Sequence, residues 1–202
     1  MLHAALVFAP LLGAIIAGVF GRFIGDSASR LISCALMTVS ALISILVFYQ
    51  VAIEHNTVVV ELVTWMDSGA FEVAWALRFD ELTAVMTLVV AVVSCLIHWY
   101  SIGYMSHDPH IPRFFAYLSL FTFAMLMLVT ADNFLQMFFG WEGVGLCSYL
   151  LIGFWFNKPS ANAAAIKAFV VNRVGDFGFA LGIMAIFLIF DSVDFTLSLI
   201  HI

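Results

Sequence analysis

Four ionisable side chains stand among apolar neighbours in the second half of the sequence: Glu142, Lys167, Arg173 and Asp176. Inside a bilayer a charged side chain costs about 2.5–3.5 kcal/mol on insertion scales, so such residues mark ion pathways by default. Glu142 is about eight residues into its apolar run, which at about 1.5 Å per residue is about 12 Å below the end of a helix. A carboxylate held between apolar surroundings and a movable cation can switch between protonated and ionised states. The chemistry this implies is proton transfer. The alternative is a permanently neutral glutamate bonded to a neighbouring helix. Gly140, Gly143 and Gly145 surround Glu142, and small residues let helices approach, so this face is predicted to point into protein. Trp141, Ser148 and Tyr149 add polar groups nearby. Arg173 and Asp176 are three apart in Asn172-Arg173-Val174-Gly175-Asp176, share a helix face and can pair. Two readings stay open for them: an electrostatic element that tunes a titrating group, or a static ion pair that fixes packing. Lys167 either snorkels to an interface or lies at the mouth of a proton path.

Other polar residues give plainer readings. Asp80 and Glu81 open an apolar run and suit its N-terminal dipole. Asp132-Asn133 reads as a turn and helix cap. His98, beside Trp99 and Tyr100, reads as part of an interfacial aromatic belt in preference to a proton relay. His107, Asp108 and His110 have poor metal-ligand spacing and read as a solvated turn. Cys34, Cys95 and Cys147 all fall in apolar runs and are predicted to be packed thiols.

The elements that must carry these residues follow from composition. Of 202 residues, 64% are hydrophobic, 10% are charged and 21 are Phe, with a formal net charge of −6. A water-soluble globule of this size cannot hide so much apolar surface. No basic stripe exists for nucleic acid. No phosphate loop, dinucleotide fingerprint or ligand set for haem or iron–sulfur is present. The chain resolves into apolar runs long enough to cross a bilayer, at about 2–21, 31–53, 80–104, 114–131, 134–156 and 164–190. The fold class is therefore all-α, a polytopic transmembrane helix bundle of about six spans. The first run lacks a basic n-region and reads as a retained span. Between spans two and three, residues 58–65 and 71–79 are β-branched and aromatic around Asp67-Ser68-Gly69, which predicts a short β-hairpin. The Ala131-Asp132-Asn133 connection makes spans four and five tight antiparallel neighbours.

Arg22, Arg30, Arg113 and Lys158 fall in breaks one, three and five, whereas breaks two and four hold only Arg78. Lys and Arg favour the cytoplasmic side, so the N-terminus and the hairpin are predicted to be external.

Residues 131–155, with Phe139-Gly140-Trp141-Glu142-Gly143-Val144-Gly145-Leu146-Cys147-Ser148-Tyr149 at their centre, closely resemble the antiporter-like subunit L of NADH-quinone oxidoreductase, respiratory complex I (chain 5 in mitochondria). Trp99-Tyr100-Ser101-Ile102-Gly103-Tyr104-Met105, Arg113-Phe114-Phe115-Ala116-Tyr117-Leu118 and Asn172-Arg173-Val174-Gly175-Asp176 are similar as well. The resemblance covers residues 1–196. It implies a proton-translocating subunit with no cofactor of its own, with NADH, flavin, iron–sulfur clusters and quinone in partner subunits. It implies Glu142 as the proton-transfer residue, partnered by a lysine two spans later, with Arg173 and Asp176 in electrostatic coupling and Lys167 as a further candidate.

The implied partners are the other complex I subunits, above all the adjacent antiporter-like one, and the implied setting is a bacterial plasma membrane or a mitochondrial inner membrane. The implied architecture is two inverted five-helix repeats, of which this chain holds the first three helices of the first. Expected units are 1–112, spans one to three with the hairpin, and 113–196, the start of the proton-translocating repeat. The partner lysine, the second repeat and the lateral helix are missing, so the chain alone is not expected to pump. Residues 197–202 resemble the translation of a transposon-end sequencing adaptor and are expected to be non-native. The runner-up families are a large subunit of a multisubunit sodium/proton antiporter and a membrane-bound hydrogenase subunit. From another class comes a small scaffold whose buried charges only pack helices.

Overall fold

The computed structural model describes residues 1–68 and 71–195. The predicted tail at 197–202 lies outside them, as does Gly69 of the predicted hairpin turn. Six helices long and apolar enough to cross a membrane are present among the described residues. They are α1 (Leu2–Val19), α2 (Gly21–Phe48), α3 (Glu81–Tyr104), α4 (Ile111–Val129), α5 (Phe134–Ile152) and α6 (Pro159–Phe190). Between α2 and α3 the antiparallel strands β1 (Val58–Ser68) and β2 (Phe71–Phe79) form the predicted hairpin.

The boundaries differ from the sequence reading for local reasons. The break predicted at 21–30 is largely helical. The chain turns at Phe20 and again at Gly25, whose φ of 81° only glycine adopts without strain. The polar residues after Gly25 then enter α2, which makes the α1–α2 turn much shorter than its charges implied. Proline also starts helices here. Pro112 sits in the first turn of α4 and Pro159 opens α6, where a missing N–H costs nothing. Both helices therefore begin earlier than 114 and 164. A π-helical turn at Tyr49–Ile53 ends the second span.

The bundle has two polar ends. At one, the Gly21 backbone abuts Pro112, Arg113 Nη2 donates to the Phe154 carbonyl at 3.1 Å, and Trp155 Nε1 donates to Asp108 at 2.9 Å. These contacts gather the α1–α2 turn, the α3–α4 loop and the α5–α6 loop. At the other end, β2 is stitched to the α4–α5 turn. The Arg78 N–H donates to the Thr130 carbonyl at 2.9 Å, the Ala76 N–H to Gln136 Oε1 at 3.1 Å, and Asn133 Nδ2 to the Ala74 carbonyl at 2.8 Å. Residue Asn133 also bridges to Asp194 beyond α6. The odd breaks thus share one end and the even breaks the other, the alternation that six sequential spans require.

Between these ends, Leu6, Val7, Met37, Val47, Leu126 and Met127 form the main core, with Leu77 and Phe79 of β2 closing it from the hairpin side. Asp80 caps α3 by accepting from the Thr83 N–H at 2.9 Å, and Asn133 caps α5 by accepting from the Gln136 N–H at 2.8 Å. The Asn133 cap matches the sequence reading, while Asp80, read as a partner of the helix dipole, caps α3 directly. Asp132 faces Arg78 at 3.4 Å.

Candidate functional site

Glu142 is the ninth residue of α5 and turns toward α6. Its Oε2 accepts from Arg173 Nη1. The same nitrogen lies 3.6 Å from Asp176 Oδ2, one helical turn along α6. Asp176 is held a second time, because Trp141 Nε1 donates to its Oδ1 at 2.8 Å. The guanidinium also lies over the Phe169 ring, 4.4 Å from its centroid. A cation over an aromatic face gains attraction without adding a counter-charge. The result is a chain of contacts, Glu142–Arg173–Asp176–Trp141, that crosses from α5 to α6 and back.

Burial grades along this chain. Asp176 is 6% exposed, the Glu142 side chain 23% and the Arg173 side chain 40%. One arginine therefore serves two carboxylates, and with both ionised the trio carries one net negative charge. In a low-dielectric setting an uncompensated charge is expensive, so this trio has a use for one more proton or one more cation. Arg173 Nε is buried without a hydrogen-bond partner among the described residues, which leaves the guanidinium short of acceptors there. A cavity of about 330 Å³ adjoins the site, lined by Met125, Leu128, Trp141, Ser148, Asn172 and Asp176. Its polar wall is on α5 and α6. It has room for several water molecules, each of about 30 Å³ in the liquid.

The glycines do a different job from the one predicted. A Cβ on Gly140 would come within 2.6 Å of the Leu128 backbone, and one on Gly143 within 3.0 Å of Ala124 Cβ. These two glycines seat α5 on α4. Gly145 has open space beside it. Successive helical residues are about 100° apart, so Glu142 does not share the glycine face and instead meets α6. Gly140 and Gly143 thus mark close helix packing as predicted, but against α4 and not the helix that Glu142 meets.

Other predicted residues find plainer settings. Lys167 is exposed on α6, six residues before Arg173, and forms no ion pair among the described residues. Tyr149 packs its ring against Phe169. Cys34 and Cys147 are buried free thiols and Cys95 is half-buried. His110 and His107 are exposed in the α3–α4 loop. Asp108 in that loop is slightly buried, which works against its charge. Hydrogen bonds from Trp155 and from the His110 N–H outweigh this and hold its carboxyl below the usual carboxylate range.

His98 departs from the aromatic-belt reading. Trp99 and Tyr100 are exposed as a belt requires, but His98 is fully buried between helices. Sequence reasoning missed two further partners. Trp141 donates to Asp176 from α5, across a helix boundary where spacing carries no signal, whereas Phe169 lies four residues before Arg173 on α6, a spacing that places both on one helix face.

The described residues thus form a membrane-type bundle of six apolar helices with a shared-arginine carboxylate site between α5 and α6. Solved structures agree on the fold. The chain superimposes with a TM-score of 0.82 on a subunit of the archaeal membrane-bound sulfane sulfur reductase, at 20% identity over 95% of this chain and 38% of that one. A subunit of the Mrp complex from Dietzia sp. gives a TM-score of 0.78 at 22% identity, over 96% of this chain and 20% of that one. Residues 65–115 match the family model described as NADH-Ubiquinone oxidoreductase (complex I), chain 5 N-terminus. Residues 131–201 match that described as NADH:quinone oxidoreductase/Mrp antiporter, TM. NADH-ubiquinone oxidoreductase chain 5 of Arabidopsis thaliana is 53% identical over 96% of this chain, and NADH-quinone oxidoreductase subunit L of Rhodobacter capsulatus is 56% identical over 94%. The chain belongs to the chain 5/subunit L family of complex I. It spans 29% and 27% of the length of these two relatives.

Proposed function

We propose that this chain is the N-terminal part of a proton-translocating membrane subunit of NADH-quinone oxidoreductase, and that Glu142 is its proton-carrying group. The observation that carries this reading is the single Arg173 nitrogen shared by Glu142 and Asp176. When Glu142 is ionised it competes with Asp176 for that nitrogen. When Glu142 takes up a proton it loses its charge, and Arg173 is left to Asp176 alone. A proton at Glu142 thus shifts the balance of an ion pair on α6, which is how a local charge event biases neighbouring helices. A lysine two spans later, implied by the family resemblance, would present a second cation to Glu142 and complete the charge count. Trp141 of α5 holds Asp176 by a separate bond, so Arg173, shared by two carboxylates, is the member whose pairing shifts. Lys167, six residues nearer the odd-break end, is the candidate for the mouth of a proton path.

The charge pattern supports an orientation with the N-terminus and hairpin external, in a bacterial plasma membrane or a mitochondrial inner membrane. Adjacent complex I subunits are the proposed partners, and NADH, flavin, iron–sulfur and quinone chemistry is assigned to them. The test is Glu142→Gln in the full-length subunit within its assembled complex, assayed as proton uptake by membrane vesicles during NADH oxidation. Pumping is expected to fall at least about tenfold, equivalent to about 1.4 kcal/mol on the limiting barrier, with assembly retained. Unchanged pumping in an assembled complex would refute the reading.

A further inference from the structure

A second polar cluster lies among the first four spans, remote in sequence from Glu142 and unused by the proposed proton site. Its centre is His98, 0% exposed on α3. His98 Nδ1 is 2.7 Å from the Ser94 carbonyl oxygen, one turn back along α3, and Nε2 is 3.1 Å from Ser119 Oγ on α4. A carbonyl only accepts, so Nδ1 carries the hydrogen. Nε2 is then free to accept from the Ser119 hydroxyl. One turn away, Ser94 Oγ bonds Thr122 Oγ1, and Thr122 donates in turn to the Leu118 carbonyl at 3.1 Å. Every donor in this set therefore ends on an acceptor within the set or on a backbone carbonyl.

The surroundings decide what such a histidine does. The groups facing the ring are Ser94 on its own helix and Ser119 and Phe115 on α4. None is charged, and no ion pair among the described residues includes His98. An imidazolium there would have no counter-charge, and an unpaired buried charge is costly. Among the described residues, the hydrogen bonds of these hydroxyls do not extend to Glu142 or Asp176.

The lock does have a mechanical consequence. Ser119 and Thr122 fix α4 to α3. Ala124 and Leu128, next along α4, are the residues that Gly143 and Gly140 of α5 rest on. Leu128 also lines the cavity beside Asp176. We propose that His98 is a positioning residue: a neutral imidazole, protonated on Nδ1, that locks α3 to α4 and thereby holds the α4 face on which α5 presents Glu142.

The test uses the full-length subunit in its assembled complex. His98→Gln offers one donor and one acceptor without a titratable ring, whereas His98→Leu offers neither. The glutamine variant is expected to keep proton pumping within about twofold of the parent, with the same pH profile. The leucine variant is expected to lose pumping or assembly. Nitrogen-15 shifts of the His98 ring report the tautomer directly, whatever the variants do. They are expected to show the Nδ1–H form unchanged across about pH 5–8, where free histidine titrates. A glutamine variant that assembles but pumps no better than the leucine variant would overturn the proposal. So would a ring that titrates in that range. Both outcomes are separable from the role of Glu142, which the Glu142→Gln assay reads independently.

Discussion

Arg173 Nη1 on α6 bonds Glu142 Oε2 on α5 and lies 3.6 Å from Asp176 Oδ2 on its own helix. Residues that share a partner do not act independently, and such sites couple by about 0.5–3 kcal/mol. A double-mutant cycle of Glu142→Gln and Asp176→Asn, read as proton uptake by vesicles, is therefore expected to be non-additive. The double variant should lose less than the sum of the two single losses. Additive losses would mean that Arg173 does not link the two carboxylates.

Removing the arginine leaves Asp176, the most buried member of the site, with Trp141 as its remaining partner. Arg173→Gln is expected to destabilise the helix pair by about 1–3 kcal/mol, the desolvation cost of a buried group that loses its partner. The lower end is expected because the Arg173 side chain is 40% exposed and partly screened. Thermal unfolding in detergent checks this. Arg173→Lys should recover part of the loss, since lysine keeps the charge without the planar fork.

Glycine substitutions on α5 should divide by helix face. Gly140→Ala drives a methyl to within 2.6 Å of the Leu128 backbone, while Gly145→Ala meets nothing within 4 Å. Backbone cannot yield as a side chain can, so the first is expected to destabilise by about 1–3 kcal/mol. The second is expected to be near neutral. Equal melting temperatures for the two variants would contradict the α4–α5 packing described above.

The α3–α4 loop carries a pH dependence of known sign. Asp108 is held below its usual value of 3.8 by the Trp155 and His110 hydrogen bonds. A group with a depressed folded value contributes stability above its unfolded value, and loses it as the pH falls through the folded one. Asp108→Asn is thus expected to destabilise at neutral pH and to matter progressively less below pH 3.8. Unfolding of the parent and the variant at two pH values measures it. A constant difference would contradict this origin.

Much of the bundle was legible because bilayer spans impose length and hydropathy that few other structures need. The alternation of breaks, the hairpin and the cap at Asn133 all followed from local chemistry. Contacts between helices were legible only in part. Arg173 and Asp176 share a face at spacing three, so their pairing could be read from one helix. The Glu142–Arg173 bond spans 31 positions and depends on the relative rotation of α5 and α6, which no local pattern encodes. The family resemblance implies a lysine outside this chain as a partner of Glu142, and within the chain Arg173 bonds it as well. His98 misled for a related reason. Its neighbours Trp99 and Tyr100 belong to an interface, but one residue along a helix is a rotation of about 100°, enough to turn His98 inward.

The central claim is that Glu142 gains and loses a proton during turnover. Its most direct test is the infrared difference spectrum of the assembled complex, resting against turning over NADH, with Glu142→Gln as the reference. The account predicts a protonated-carboxyl band in the parent that is absent from the Glu142→Gln complex. Identical carboxyl regions in the two spectra, with the parent pumping normally, would contradict it.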